Sequence, residues 1–328
     1  MNSRRVRVVG PEETPVDTSF YEGATGHEPS NFTAFRKAER LYKRKPVDLS
    51  KVIDFSNGYD PEQDPRIKPA GTFEMVDQLS GERVVKQMYT IEGYEGFIYI
   101  PQCLNMVAQR ELCNRCFRDY MNPPNLSNLN AHYEFHDFTG FHDAYEREKL
   151  DFIQKSSDSA MNRLTTQTEV EAMVRKIRWV TLGYQYDWTT KTYDFDREPN
   201  PFPEDLKQYG QEIASGAGFD LMPEAGIVNY YQEGDQLTGH VDRSEKNMSV
   251  PLLSISLGSS AIFLLGGPDR DDPVVALMVR SGDVSFLSGP ARKYYHGVPK
   301  ILPDLGDNLL NHPLIKNARL NINIRQVL

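Results

Sequence analysis

The chain is poor in cysteine and tryptophan and has no long apolar run, and each shortage narrows what it can be. Its three cysteines, Cys103, Cys113 and Cys116, are too few and too clustered for a disulfide framework and suit a reducing compartment. No stretch approaches the roughly 20 apolar residues that cross a bilayer, and no signal-peptide core follows the start. The expectation is a soluble intracellular protein without a membrane partner. Basic residues are outnumbered, 37 Lys and Arg against 46 Asp and Glu, for a net charge of -9. That argues mildly against broad electrostatic wrapping of nucleic acid and leaves room for a local basic groove. The opening MNSRRVRVVG has three arginines, a mitochondrial feature, yet Glu12 and Glu13 follow at once, so nucleus, cytoplasm and mitochondrion all stay open. Also missing are a βαβ rhythm, a phosphate loop and any repeat of solenoid length.

What is present divides unevenly. Residues 1–90 read as a polar tail, a short basic helix at FRKAERLYKRKP (35–46) and a turn-rich linker at SNGYDPEQDPRIKPAG (56–71). A folded domain over 91–328 is expected to begin near YEGFIYIP (94–101), which alternates like a strand. Helical patterns follow at 104–121, 168–178 and 203–214. After Phe219 come short apolar runs, AGIVNYY, LLSISLG, AIFLLGG, VVALMV, DVSFLSG and LNINIRQV, separated by Gly, Pro, Asp and Ser. Regular short strands of this kind predict a sandwich or jelly roll. The fold class is therefore α+β, with helices in front of a β-core at about 220–328.

Within that core, LTGHVDRSEK sets His240 and Asp242 two residues apart. In extended backbone they face the same way and can grip one ion. Alone, such a pair is more often solvated than ligating. KYYHGVPKI then places His296 after another strand, where a jelly roll would bring it back beside the first pair. Two histidines and one carboxylate form a facial triad with open positions, which is diagnostic of non-haem Fe(II) oxygenases rather than of closed structural zinc.

The last strand, RLNINIRQ, puts Arg319, Asn321, Asn323 and Arg325 on one face and Leu320, Ile322 and Ile324 on the other. Inward arginines are costly to desolvate unless an anion meets them. A guanidinium matches a carboxylate bidentately, so a small dicarboxylate is a natural guest, with Asn229 and Tyr231 of NYY as neutral donors on a facing strand.

The ordered set NYY, HVDRSE, AIFLLGG, ARKYYHGVP and RLNINIRQ resembles the AlkB family of Fe(II)- and 2-oxoglutarate-dependent dioxygenases. With IRWVTLGYQYDW and PFPEDL it is most similar to the AlkB homologue 1 subgroup, over roughly 94–328. The resemblance implies a double-stranded β-helix, with Fe(II) held by His240, Asp242 and His296 and O2 as oxidant. It implies that Arg319 pairs with the distal carboxylate of 2-oxoglutarate, and that Asn229, Tyr231, Asn321 and Arg325 complete the pocket. Members demethylate nucleobases in DNA or RNA, and this subgroup is associated with N6-methyladenine in DNA and methylated bases in tRNA. A nucleotide-recognition lid is implied at about 179–202, offering Tyr184, Gln185, Tyr186 and Trp188. Arg270 matches a substrate contact of some members, and Ser244 replaces their acidic base-reading residue. No catalytic side chain beyond the metal centre is implied.

Three further patterns compete. Cys113 and Cys116 followed by His132 and His136 satisfy a zinc spacing, but the cysteines lie in a helical pattern and Pro123 and Pro124 interrupt the path, so they read as reduced helix residues. An exposed lysine such as Lys191 leaves an abasic-site lyase open. A 2-oxoglutarate oxygenase acting on protein side chains is the remaining alternative to a monomeric enzyme that meets an unpaired or flipped base in DNA or tRNA.

Overall fold

The computed structural model describes residues 32–55, 65–156, 160–188, 190–303 and 317–328. Alternation along the last strand, β18 (Arg319–Arg325), shows how the fold is built: Leu320, Ile322 and Ile324 are fully buried in hydrocarbon on one face, while the polar residues occupy the other. β18 lies inside a nine-stranded sheet. The sheet runs β1 (Ile67–Val76), β2 (Arg83–Ile91), β3 (Phe97–Ile100), β16 (Val284–Leu287), β13 (Leu252–Gly258), β18, β11 (Ala225–Tyr231), β8 (Trp179–Gly183) and β4 (Leu126–Ser127). A four-stranded sheet, β12 (Leu237–His240), β17 (His296–Leu302), β14 (Ser260–Leu265) and β15 (Val275–Val279), supplies the other half of the roll.

The outer face of the large sheet carries helices α2 (Met106–Arg118) and α5 (Glu204–Gly216). Leu112, Phe117, Leu206 and Ile213 share a core with Leu253, Ile255, Leu257 and the apolar face of β18. Each such side chain contributes about 1.5–3 kcal/mol relative to exposure. Between the sheets, Phe97, Tyr99 and Tyr231 meet Leu265, Leu277, Val298 and Ile301. Hydrocarbon thus fills part of the roll, and the polar face of β18 is left to line the rest. Three smaller pieces flank this frame. α3 (Phe141–Glu146) and α4 (Gln167–Val174) pack together near a three-stranded sheet of β5 (Tyr133–His136), β6 (Leu150–Gln154) and β7 (Met161–Leu164). A hairpin of β9 (Tyr186–Asp187) and β10 (Thr192–Tyr193) lies within the segment expected to form a lid.

The structure moves the start of the folded part earlier than Tyr94. β1 and β2 form a long antiparallel hairpin at the edge of the large sheet, so residues 67–71 of the expected linker are strand, while 56–64 lie outside the described residues. Pro69 and Gly71 gave the segment its turn-like look. An edge strand tolerates proline, and the register shifts between Pro69 and Thr72, with Gly71 at φ 107°, where the strand bulges. The basic helix is α1 (Ala34–Lys43), and it is no separate segment: Phe35 and Tyr42 are buried against Ile262 and Leu264 of the small sheet. The compact unit runs from Thr33 to Leu328. Of the segment 179–202 expected as a lid, Trp179–Gly183 is β8, paired with β11 in the sheet.

Candidate metal and co-substrate centre

β12 and β17 run antiparallel with His240 directly opposite His296, their rings 4.4 Å apart between centroids. Asp242 follows just past the end of β12. Its two carboxylate oxygens stand 3.7 Å from His240 Nε2 and 3.7 Å from His296 Nε2. One ligand atom from each of the three side chains lies within 4.8 Å of the others, the span of a single ion's coordination shell. Both rings are oriented the same way by the main chain. His240 Nδ1 lies 2.9 Å from the carbonyl of Thr238, and His296 Nδ1 lies 3.1 Å from that of Tyr294. A carbonyl requires Nδ1 to carry the proton, which leaves Nε2 with its lone pair toward Asp242. Burial, then the neighbouring His296, pushes the His240 imidazole down to about 4, so it is neutral and ready to ligate at neutral pH. Burial opposes ionisation of Asp242, but the Arg325 guanidinium, which donates to it at 2.8 Å, holds its carboxyl well below the usual range.

Arg319 is 3% exposed. Its Nη2 donates to Ser256 Oγ at 2.9 Å, whereas Nε and Nη1 are buried with no partner. Unpaired donors on a buried guanidinium are costly, and the fork of Nε and Nη1 is the shape that a carboxylate satisfies. The residues present therefore fit a 2-oxo dicarboxylate as well as an iron ion. The Tyr231 ring lies under this guanidinium, 5.2 Å from its centre. Asn321 donates to Ser254 Oγ at 2.7 Å and to the Ile255 carbonyl at 3.1 Å, and Asn229 faces it across the β11–β18 ladder. Ser254 and Ser256, two apart in LLSISLG, were missed as site residues although they carry the same two-residue signal as Asn229 and Tyr231.

Arg325 reaches the centre from the metal side. It donates to Asp242 Oδ2 at 2.8 Å and to the Tyr193 hydroxyl at 3.0 Å, and pairs with Glu245 Oε1 at 3.3 Å. Glu245 is held in turn by Arg292 at 3.0 Å, both almost fully buried. Glu245, Arg292 and Tyr193 were not singled out from the sequence, since only the fold joins them.

The lid residues divide. Trp188 packs on Trp179 at 4.3 Å and on Tyr186 at 4.9 Å, and Tyr186 meets Tyr193 edge-on at 5.2 Å. Tyr184 packs on Phe195, and Gln185 turns back to the Thr181 hydroxyl and the Gly183 carbonyl. The Ser244 hydroxyl donates to the Lys191 carbonyl at 2.9 Å and lies 3.4 Å from the Tyr186 hydroxyl, which fastens the hairpin beside Asp242. Lys191 itself is exposed at the turn with φ 57°. Arg270 stands over the Tyr295 ring at 4.7 Å and points toward the Gly239 carbonyl.

The zinc spacing is not assembled. Among the described residues the triad is the one cluster of three or more side chains able to hold a metal, and Cys113 and Cys116 face the core of α2, fully buried. Burial pushes the Cys113 thiol up to about 12 and Cys116 well above its ordinary value, so neither offers a thiolate. No helix among the described residues is long and apolar enough to cross a membrane.

Two histidines on the small sheet with an aspartate just past β12, together with a buried half-satisfied arginine on the large sheet, define a 2-oxoglutarate-dependent Fe(II) oxygenase. The sequence matches the 2OG-Fe(II) oxygenase superfamily over residues 96–325. It is 33% identical to the DNA N(6)-methyladenine demethylase ALKBH1A of Arabidopsis thaliana, across 94% of this chain and 99% of that one. It is 35% identical to the nucleic acid dioxygenase ALKBH1 of Homo sapiens, across 90% and 84%. With the tRNA demethylase abh1 of Schizosaccharomyces pombe the identity is 31%, across 89% and 95%. The chain belongs to the AlkB family of Fe(II)- and 2-oxoglutarate-dependent dioxygenases, in its homologue 1 group.

Proposed function

We propose that this dioxygenase removes methyl groups from nucleobases in DNA or RNA, N6-methyladenine and methylated tRNA bases being the first candidates, and that it takes the base unpaired or flipped. The observation that carries the reading is the aromatic hairpin of Tyr186, Trp188 and Tyr193, tied through Ser244 to the segment bearing Asp242. A base is held by stacking on rings and must leave its helix to reach a buried centre. The relatives named for DNA and tRNA demethylation support the same substrate class.

The residues divide the work as follows. His240, Asp242 and His296 would hold Fe(II), which when bound supplies the activation of O2 coupled to oxidative decarboxylation of 2-oxoglutarate to succinate and CO2. Arg319 takes the distal carboxylate on its two unpaired donors, and Tyr231, Asn229 and Asn321 line the remainder of that pocket. Arg325 keeps Asp242 ionised and still. One oxygen atom enters the N-methyl group, and the resulting hemiaminal releases formaldehyde without a protein nucleophile. The working unit in this reading is a monomer.

The test is mass spectrometry of nucleosides after incubation with Fe(II) and 2-oxoglutarate, using one methylated base in duplex, bulged and single-stranded oligonucleotides at fixed salt. Bulged and single strands are expected to react faster, because extruding a base from intact duplex costs a few kcal/mol. Equal rates on all three, or oxidation confined to peptides, would overturn the flipped-base reading in favour of a protein oxygenase.

A further inference from the structure

Helix α1 is built into the wall behind the metal site. β12 and β17 pair Leu237 with Val298 and His240 with His296, so three steps along β12 match two along β17. One extra residue therefore bulges from β12 immediately before the metal-binding histidine. A bulge turns a backbone amide out of the ladder, and a buried amide needs another acceptor. Gly239 finds one in Glu39, whose Oε1 accepts its N–H at 2.7 Å. Glu39 is 1% exposed, and its second oxygen is held by Arg36 Nη1 at 2.9 Å. The approach depends on glycine: a Cβ at Gly239 would stand 2.3 Å from the Phe35 ring. The helix is itself pinned at its start, with the Ala34 amide donating to Asp271 Oδ1 at 3.1 Å and the Phe35 amide to the Arg270 carbonyl at 2.9 Å.

We infer that Glu39 is a positioning residue of the iron centre, its carboxylate fixing the bulge from which His240 is aimed. This rests on the triad being the iron site. Glu39 bonds to the residue beside the ligand rather than to the ligand, so its effect passes through the backbone of β12. What the bulge needs is an acceptor oxygen at that reach, and groups that hold a metal ligand in place typically change metal affinity by about 10–100-fold.

The experiment is titration of the full-length, metal-free protein with Co(II), followed by its visible absorption, with thermal unfolding of the metal-free form in parallel. Glu39→Gln keeps the side-chain length and an oxygen for the Gly239 amide. Glu39→Asp keeps the charge but draws the acceptor back by one methylene. The Asp variant should bind Co(II) about 10-fold more weakly or worse, with a changed absorption band, while the Gln variant stays close to the parent. A purely electrostatic or structural role for Glu39 gives the opposite order, because Asp preserves the ion pair with Arg36. That opposite order, or unchanged affinity in both variants, overturns the inference. An Asp variant that does not fold without metal also counts against it, since a group acting on His240 alone leaves the metal-free fold standing. A parent protein that binds no Co(II) overturns the metal assignment itself, a result distinct from any difference between variants.

Discussion

Arg319 and Arg325 stand at the two ends of β18, on the same face, and are 3% and 5% exposed. By sequence they are equivalent, and the expectation assigned both to one co-substrate pocket. The structure separates them. Arg325 donates to Asp242 and Tyr193, and its Nε, which makes no hydrogen bond, still has the Glu245 carboxylate at 3.3 Å; although burial opposes its charge these partners raise it well above the ordinary value. Arg319 has one hydroxyl partner and two idle donors, and burial pushes its guanidinium down. A buried cation matched by the chain's own groups stabilises the ligand-free fold, whereas one left half matched has donors to offer a ligand.

The sharpest way to break that contrast is to remove each charge in turn. Arg325→Met leaves Asp242 and Glu245 buried without their shared cation and should destabilise the metal-free protein by about 3–5 kcal/mol. Arg319→Met removes a cation that has one hydroxyl partner and two idle donors, so without co-substrate the change should be close to neutral or even stabilising. Denaturant unfolding of both variants, free of metal and 2-oxoglutarate, compares them directly. Equal losses would erase the difference between the two ends.

Next in size is the ligand itself. Arg319→Lys retains charge but not the planar fork, and losing one charge-assisted bond of about 1.5–3 kcal/mol should raise the KM for 2-oxoglutarate roughly 10–100-fold. Co(II) affinity should not follow. If 2-oxoglutarate binding is unmoved while Arg325→Met abolishes it, the two roles are exchanged.

Acid sharpens the comparison from another side. In the unfolded chain a histidine titrates near 6.5, but folded His240 is held at about 4, so between those values only the unfolded chain takes the proton. Its contribution is complete above pH 6.5 and is lost as pH falls toward 4, and the depressed Asp242 continues the loss below 3.8. Asp283, on the Arg319 side, has the opposite sign. Burial pushes it up to about 6 despite bonds from Tyr99 and two backbone amides, so the folded state holds a proton there that the unfolded chain, titrating near 3.8, has lost. Its contribution is complete below 3.8 and is lost as pH rises through 6. The two trends oppose each other between pH 4 and 6. Asp283→Asn should therefore steepen the drop in Tm on acidification of the metal-free protein, and an unchanged profile would remove Asp283 from the account.

Much of this was readable from spacing. β11, β13 and β18 alternate because one face meets helices and the other lines the roll, and the same alternation puts Asn229 with Tyr231 and Arg319 with Asn321. His240 and Asp242 were visible for the same reason. Edges and long-range partners were hidden. β1 carries the proline and glycine of a turn because an edge strand need not satisfy every amide. α1 reads in sequence as a short basic helix ahead of the domain, although its buried side, Phe35, Glu39 and Tyr42, closes the small sheet. Arg325 finds Asp242 across 83 residues of chain, a meeting that the register of two sheets decides. Gln185 sits in the lid motif yet faces inward, because Gly183 at φ 69° turns the chain just before it.

The smallest effect expected is at the lid's fastening. Ser244 donates to the Lys191 carbonyl, a neutral bond at a half-buried site, so Ser244→Ala should cost about 0.5–1.5 kcal/mol of whatever the closed hairpin contributes to binding. That corresponds to a roughly 2–10-fold rise in the KM for a methylated oligonucleotide. Nothing at either end of β18 touches this hydroxyl, so 2-oxoglutarate turnover without nucleic acid and Co(II) affinity should both stay at parental values. The outcome also places Tyr186, whose hydroxyl lies 3.4 Å from the same serine. If the hairpin holds the base, Tyr186→Phe, which keeps the ring, should leave the nucleic-acid KM near that of the parent, and Tyr186→Ala should raise it beyond the serine variant. A Ser244→Ala enzyme that loses 2-oxoglutarate turnover along with nucleic-acid binding would show that the lid and the metal end are one unit, and that the division between scaffold and ligand-binding ends does not extend past β18.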